Sequence, residues 1–183
     1  MASKLRISGI VPESIVDGPG IRFTVFTQGC PHHCPGCHNP QTHAFDGGRL
    51  VDVADLAAQV EENPLLTGVT FSGGEASLHF ELLKKLLTAC REKRYHTALE
   101  TNGLISAAHL KELIPLTDLF LFDFKHSDPD ALKKWAGAPL APILESLAAL
   151  EDAHAHVWLR CPVIPGVNDM DCLLYTSDAA DEL

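Results

Sequence analysis

Short apolar runs alternate with amphipathic stretches along most of the chain, the arrangement that places parallel strands between crossover helices. Phe23–Thr27, Val69–Ser72, Thr97–Thr101, Leu119–Phe124 and Val157–Cys161 read as strands. Leu119, Phe120, Leu121 and Phe122 are apolar without interruption, as in a strand covered on both faces. Between the runs the period becomes helical. Val53, Leu56, Ala57 and Val60 share one face of a helix that Asp52 can cap, and Phe80, Leu83, Leu87 and Cys90 repeat the stripe. Ser106 opens a third helix that Pro115 ends, Asp128-Pro129 supplies a cap and first-turn proline for a fourth, and a fifth surrounds Ile143–Leu150. Five strand–helix units in series predict an α/β fold, an incomplete parallel (β/α) barrel, with ligands at the carboxyl ends of its strands.

Composition narrows the reading without changing it. A chain of 183 residues that is 46% hydrophobic can bury one core, and no repeat or low-complexity linker argues for a second. It carries neither an apolar run of membrane-spanning length nor a secretory signal pattern, so a cytoplasmic location is expected. A formal charge of −10, with 14 scattered Lys and Arg, opposes nucleic-acid binding. The last segment stands apart: Cys172 to Glu182 resembles the conceptual translation of a transposase sequencing adapter. Residues 1–171 are therefore taken as the domain, truncated at its C-terminus, and 172–183 as an artefactual tail. A barrel that stops after five units should also leave its last strand with an open edge.

Six cysteines in a reducing compartment point to metal or redox chemistry where they cluster. Cys30, Cys34 and Cys37 are spaced C-x3-C-x2-C on a loop whose Pro31, Pro35 and Gly36 suit sharp turns. Cubane iron–sulfur clusters ordinarily take four thiolates. Three would leave one iron open to a chelating small molecule. The alternative is a closed zinc site completed by His32, His33 or His38. Cys90 and Cys161 read as small buried apolar residues, and His32, His33, His79, His96, His109 and His126 as loop or surface residues.

Two further motifs sit at predicted strand ends. Ser72-Gly73-Gly74-Glu75 lets the backbone approach a ligand closely and can hold an ammonium group, although a plain strand-to-helix turn has the same form. Glu100-Thr101-Asn102-Gly103 and Asp123-Phe124-Lys125 project towards the same rim. Lys125 suits a carboxylate, and Asp123 suits an ammonium or a monovalent cation; the bland reading is a solvent-facing pair.

From about Ile7 to Asp169 these features together resemble the radical S-adenosylmethionine superfamily. Within it, Asp17-Gly18-Pro19-Gly20-Ile21-Arg22 followed by Phe26-Thr27-Gln28-Gly29-Cys30 looks like the signature of glycyl-radical enzyme activating enzymes. The resemblance implies a [4Fe-4S] cluster on Cys30, Cys34 and Cys37, with S-adenosylmethionine chelating the open iron. Reductive cleavage would yield a 5′-deoxyadenosyl radical that takes a hydrogen atom from a glycine of a partner protein. By the same resemblance Gly36, Cys37 and His38 line the adenine side, Gly73, Gly74 and Glu75 hold the amino group, and Asp123, Phe124 and Lys125 contact the cofactor. Glu100, Thr101 and Asp123 would form a monovalent cation site, although the family commonly has Asp where Glu100 stands. Asp17 and Arg160 would grip the partner's glycine loop, or else form a structural salt bridge. Flavodoxin or ferredoxin is the implied electron donor.

The later half, through Arg160-Cys161-Pro162, looks like the pyruvate formate-lyase activase branch, whereas the first 75 residues look most like activators of anaerobic ribonucleotide reductase. Competing readings are a radical S-adenosylmethionine enzyme acting on a small molecule and a zinc-binding interaction module. The short connection from His38 to Asp52 leaves no room for an extra cysteine-rich insert, so one cluster is expected.

Overall fold

The computed structural model describes residues 4–169; the segment read as an adapter translation, Cys172 to Glu182, lies outside them. Seven strands form one sheet in the order β3-β1-β2-β4-β5-β6-β7: β1 Lys4–Ser14, β2 Arg22–Thr27, β3 Arg49–Asp52, β4 Gly68–Gly73, β5 His96–Thr101, β6 Leu119–Asp123 and β7 Val157–Arg160. From β2 to β7 every neighbour is parallel. β1 runs antiparallel to both β2 and β3. The five predicted strands are therefore β2 and β4–β7, an open parallel barrel segment, extended by an antiparallel pair that the sequence pattern did not announce.

The helices follow from the capping and periodicity already described. α1, Val53–Glu61, starts where the Asp52 side chain accepts from the Ala54 N–H. α2 spans Phe80–Glu92 and buries Phe80, Leu83, Leu86, Leu87 and Cys90 on one face. In α3, Ala107–Leu113, Ser106 accepts from the His109 N–H, and Pro115 falls in the closing 3-10 turn. α4, Pro129–Ala136, is capped by Asp128 and stopped by Gly137 in the left-handed region that glycine adopts without strain. α5 covers Leu140–Asp152, extending the predicted Ile143–Leu150 core by three residues at its start and two at its end. No helix among the described residues is long and apolar enough to cross a membrane.

The core lies between sheet and helices. Leu119–Phe122 is buried throughout, as expected of a strand covered on both faces. Parallel register brings the carboxyl ends of the strands level: Thr27 pairs with Gly73, Thr101 with Phe122, and Asp123 with Arg160. Loops leaving those ends are thereby forced together on one rim.

Candidate functional site

That rim encloses a cavity of about 680 Å³. Its wall includes Cys30, Cys34 and Cys37 from the loop after β2, Gly73, Gly74 and Glu75 after β4, and Glu100, Thr101 and Asn102 at the end of β5. Asp123 and Lys125 from β6 and Arg160 and Cys161 from β7 complete it, with Gly36, His38 and Asp17 alongside. Phe124 does not join them: its neighbours in sequence face the cavity, and alternation turns its ring into the core beneath.

The cysteine loop is closed at its root. Gly29 N–H donates to the Thr42 carbonyl at 2.8 Å and Cys30 N–H to the His43 carbonyl at 3.2 Å. The buried Gln28 side chain donates to the carbonyls of Gln41 and Ala44. His79 Nε2 donates to the Gln28 carbonyl at 2.7 Å, tying the loop to the segment before α2. None of these roles was visible in sequence, because each joins residues more than ten positions apart.

Glu75 is 2% exposed and joins two strand ends. One carboxylate oxygen accepts from Ser77 N–H and from the Thr101 hydroxyl at 3.0 Å, and the other accepts from Asn102 N–H at 2.9 Å. Burial raises its pKa, an effect these donors only partly offset. Thr101, expected to face a cation with Asp123, instead directs its hydroxyl to Glu75. Glu100 and Asp123 face Arg160, whose Nη2 lies 2.8 Å from Glu100 and 2.7 Å from Asp123. Lys125 is 3.4 Å from Asp123, and the pair is only about one-quarter exposed, so the solvent-facing reading of these two residues does not hold.

Asp17 is held by the Ser14 hydroxyl at 2.6 Å. Its carbonyl accepts from the Thr70 hydroxyl, which in turn accepts from Arg22 Nε. Arg22 is fully buried and also donates to the carbonyls of Pro19, Val69 and His96. The Asp-Gly-Pro-Gly turn is thus fixed from below by an arginine to which the sequence had assigned no role.

Three other expectations change. His32 and His126 are each 3% exposed, not surface residues. His32 Nδ1 donates to the Ala136 carbonyl, linking the cysteine loop to α4, and His126 receives the Asp128 N–H on Nδ1. Cys161 is half-buried on the cavity wall, whereas Cys90 is a core residue whose thiol burial pushes up to about 12.

The donor set can be tested against the group it would hold. Among the described residues no three His, Cys, Asp or Glu side chains converge on one ion position, which a closed zinc site requires. A cluster differs, because each thiolate binds its own iron and the sulfurs stand apart. Three thiols on one cavity wall fit that demand. Burial pushes the Cys30 thiol up to about 11 and raises that of Cys34, so these two are protonated at neutral pH until iron displaces the proton.

Comparison with known proteins gives the same answer from sequence. Residues 24–174 match the Radical SAM superfamily. The chain is 38% identical over 169 residues to the pyruvate formate-lyase-activating enzyme of Clostridium pasteurianum, an alignment covering 90% of this chain and 71% of that protein. It is 38% identical over 173 residues to the pyruvate formate-lyase 1-activating enzyme of Escherichia coli K12, covering 91% and 70%. A solved domain of a pyruvate-formate lyase-activating enzyme from Bacteroides vulgatus shares the fold with a TM-score of 0.57 at 29% identity, over 61% of this chain and 70% of that one.

Proposed function

The chain belongs to the radical S-adenosylmethionine superfamily, and from that premise we propose that it activates a glycyl-radical enzyme of the pyruvate formate-lyase kind. When bound, the [4Fe-4S] cluster and S-adenosylmethionine supply a 5′-deoxyadenosyl radical, formed with one electron, that takes a hydrogen atom from the partner's glycine. The observation that carries the proposal is the meeting, on one cavity wall, of three thiols, a glycine-rich strand end, a Lys–Asp pair and the Asp17 turn.

In this reading Cys30, Cys34 and Cys37 hold three irons. Gly73 and Gly74 offer backbone to the amino group, and Glu75 keeps their turn fixed against β5 through the Thr101 and Asn102 contacts. Lys125 receives the carboxylate and Asp123 orients Lys125. Gly36 and His38 border the adenine end, while Asp17 and Arg160 offer opposite charges to peptide amides and carbonyls. Phe124 is withdrawn from the cofactor set, because its ring is in the core.

Flavodoxin or ferredoxin is the class of electron donor this chemistry needs, in the cytoplasm where thiols stay reduced. Nucleic acid has no part in the reading, since the chain has a formal charge of −10. Residues 1–171 are assigned to the working domain and 172–183 to the tail.

Anaerobic reconstitution with iron and sulfide, followed by dithionite, is expected to give 5′-deoxyadenosine. Mixing with pyruvate formate-lyase should then give a glycyl radical detectable by electron paramagnetic resonance. Deoxyadenosine with no radical on pyruvate formate-lyase but one on anaerobic ribonucleotide reductase would move the enzyme to that branch, which the first 75 residues resemble. No deoxyadenosine at all would overturn the proposal.

A further inference from the structure

Glu100 and Asp123 close adjacent parallel strands and lean into one cavity, their side chains 20% and 21% exposed. Two carboxylates so placed repel: burial raises the pKa of Glu100, the Arg160 charge opposes that rise, and Asp123 adds to it. Something positive must lie between them. Arg160 does: Nη2 reaches both carboxylates, and Nε donates a second hydrogen bond to Asp123 at 2.8 Å. Lys125 stands on the other oxygen of Asp123, so the four side chains form a formally neutral group. The Thr101 hydroxyl, the third member of the expected cation site, donates to Glu75 and accepts from Gly103 N–H, so its oxygen is already engaged.

We propose that Arg160 is the resident counter-cation of the Glu100–Asp123 pair, and that this site takes no monovalent metal ion while the guanidinium is seated. An entering potassium ion would meet two cations already in place and one hydroxyl turned away. A guanidinium is a planar fork of fixed geometry, suited to bridging two carboxylates from one side, and less strongly hydrated than a compact cation. The inference rests on the ion pairs themselves, not on the reaction proposed above.

The test compares potassium chloride with tetramethylammonium chloride at equal ionic strength on the cluster-loaded full chain, reading both S-adenosylmethionine affinity and thermal midpoint. For the unmodified chain the affinity is expected to differ by less than about twofold and the midpoint by less than about 1 °C. A saturable, potassium-specific tightening or stabilisation there overturns the proposal, whether or not any variant folds. Arg160→Ala leaves the carboxylate pair with Lys125 as its one counter-charge and is expected to gain a saturable potassium response, at least about fivefold in affinity or about 3 °C in midpoint. Glu100→Gln added to Arg160→Ala should abolish that response. A folded Arg160→Ala chain indifferent to potassium would also overturn the proposal. If S-adenosylmethionine fails to bind in any salt, the functional reading falls, and the midpoint comparison still decides the cation.

Discussion

Arg22 illustrates how one side chain can hold a turn at the cavity's edge without facing the cavity. Its guanidinium is 0% exposed and bonds the carbonyls of Pro19, Val69 and His96 and the hydroxyl of Thr70. Burial lowers its pKa to about 10, with Asp118 and Asp17 opposing the shift. Replacement by Met would leave those acceptors unpaired in the interior, and Arg22→Met is expected to lose about 3 kcal/mol of stability in chemical denaturation. His96 beside it accepts from Arg22 through Nδ1 at 3.2 Å, which requires the neutral ring. Burial, followed by the Arg22 charge, lowers the His96 pKa below its ordinary value, against Asp118. The unfolded chain therefore binds the proton first as pH falls through about 6.5. Stability contributed by His96 is complete above that pH and is lost on acidification towards the lowered folded value. His96→Gln is expected to flatten the fall in urea midpoint between pH 7.5 and 5; a profile as steep as that of the unmodified chain would contradict this.

At the level of elements, the join between β4 and the cysteine loop is the tightest backbone approach on the rim. A side chain on Gly74 would run into the carbonyl of Gly29 and approach that of Thr42, at the root of the loop. Gly9 in β1 has open space around the same position and no unusual backbone angle. Gly74→Ala is accordingly expected to cost about 2 kcal/mol and to lower iron retention after reconstitution, whereas Gly9→Ala should fall within about 0.5 kcal/mol of the parent. Equal effects in the two variants would show that the approach is not limiting. The parallel strands and their helices were legible because each carries its own local signal: Asp52, Ser106 and Asp128 do cap α1, α3 and α4. β1 and β3 were not. Gly9 and Pro12 interrupt the alternation of β1, and its pairing with β2 is irregular after Ile7 and Val11, while the four residues of β3 are too few to show a period. The candidate site divides in the same way. Cysteine spacing and the Gly-Gly-Glu turn are local, but the partners of Arg160, Thr101 and Gln28 depend on which strands lie side by side, a fact settled only by the assembled sheet.

For the molecule as a whole, the cavity touches the carboxyl end of every parallel strand from β2 to β7. Those ends are connected beneath it by the sheet and around it by backbone bonds such as Glu75 N–H to the Gly29 carbonyl and by side-chain contacts such as Glu75 with Asn102 and Arg160 with Glu100. A ligand filling the cavity would touch all of these elements at once, and its binding energy would appear as stability of the entire sheet. Linkage sets the scale: at one hundred times its dissociation constant, a ligand specific to the folded state adds about 2.7 kcal/mol. For a chain of this length that corresponds to a rise in thermal midpoint of roughly 5–10 °C. S-adenosylmethionine is expected to give this rise only after the cluster has been reconstituted, because the proposed anchor is the iron that Cys30, Cys34 and Cys37 leave open. Removing iron with a chelator should return the midpoint to that of the unliganded chain, even with S-adenosylmethionine still present. Scanning calorimetry of the reconstituted and chelated protein, each with and without S-adenosylmethionine, separates the two terms. An equal shift without iron would mean that the cofactor is held by the Gly73–Glu75 turn and Lys125 alone, and would sever the tie between the three thiols and ligand binding.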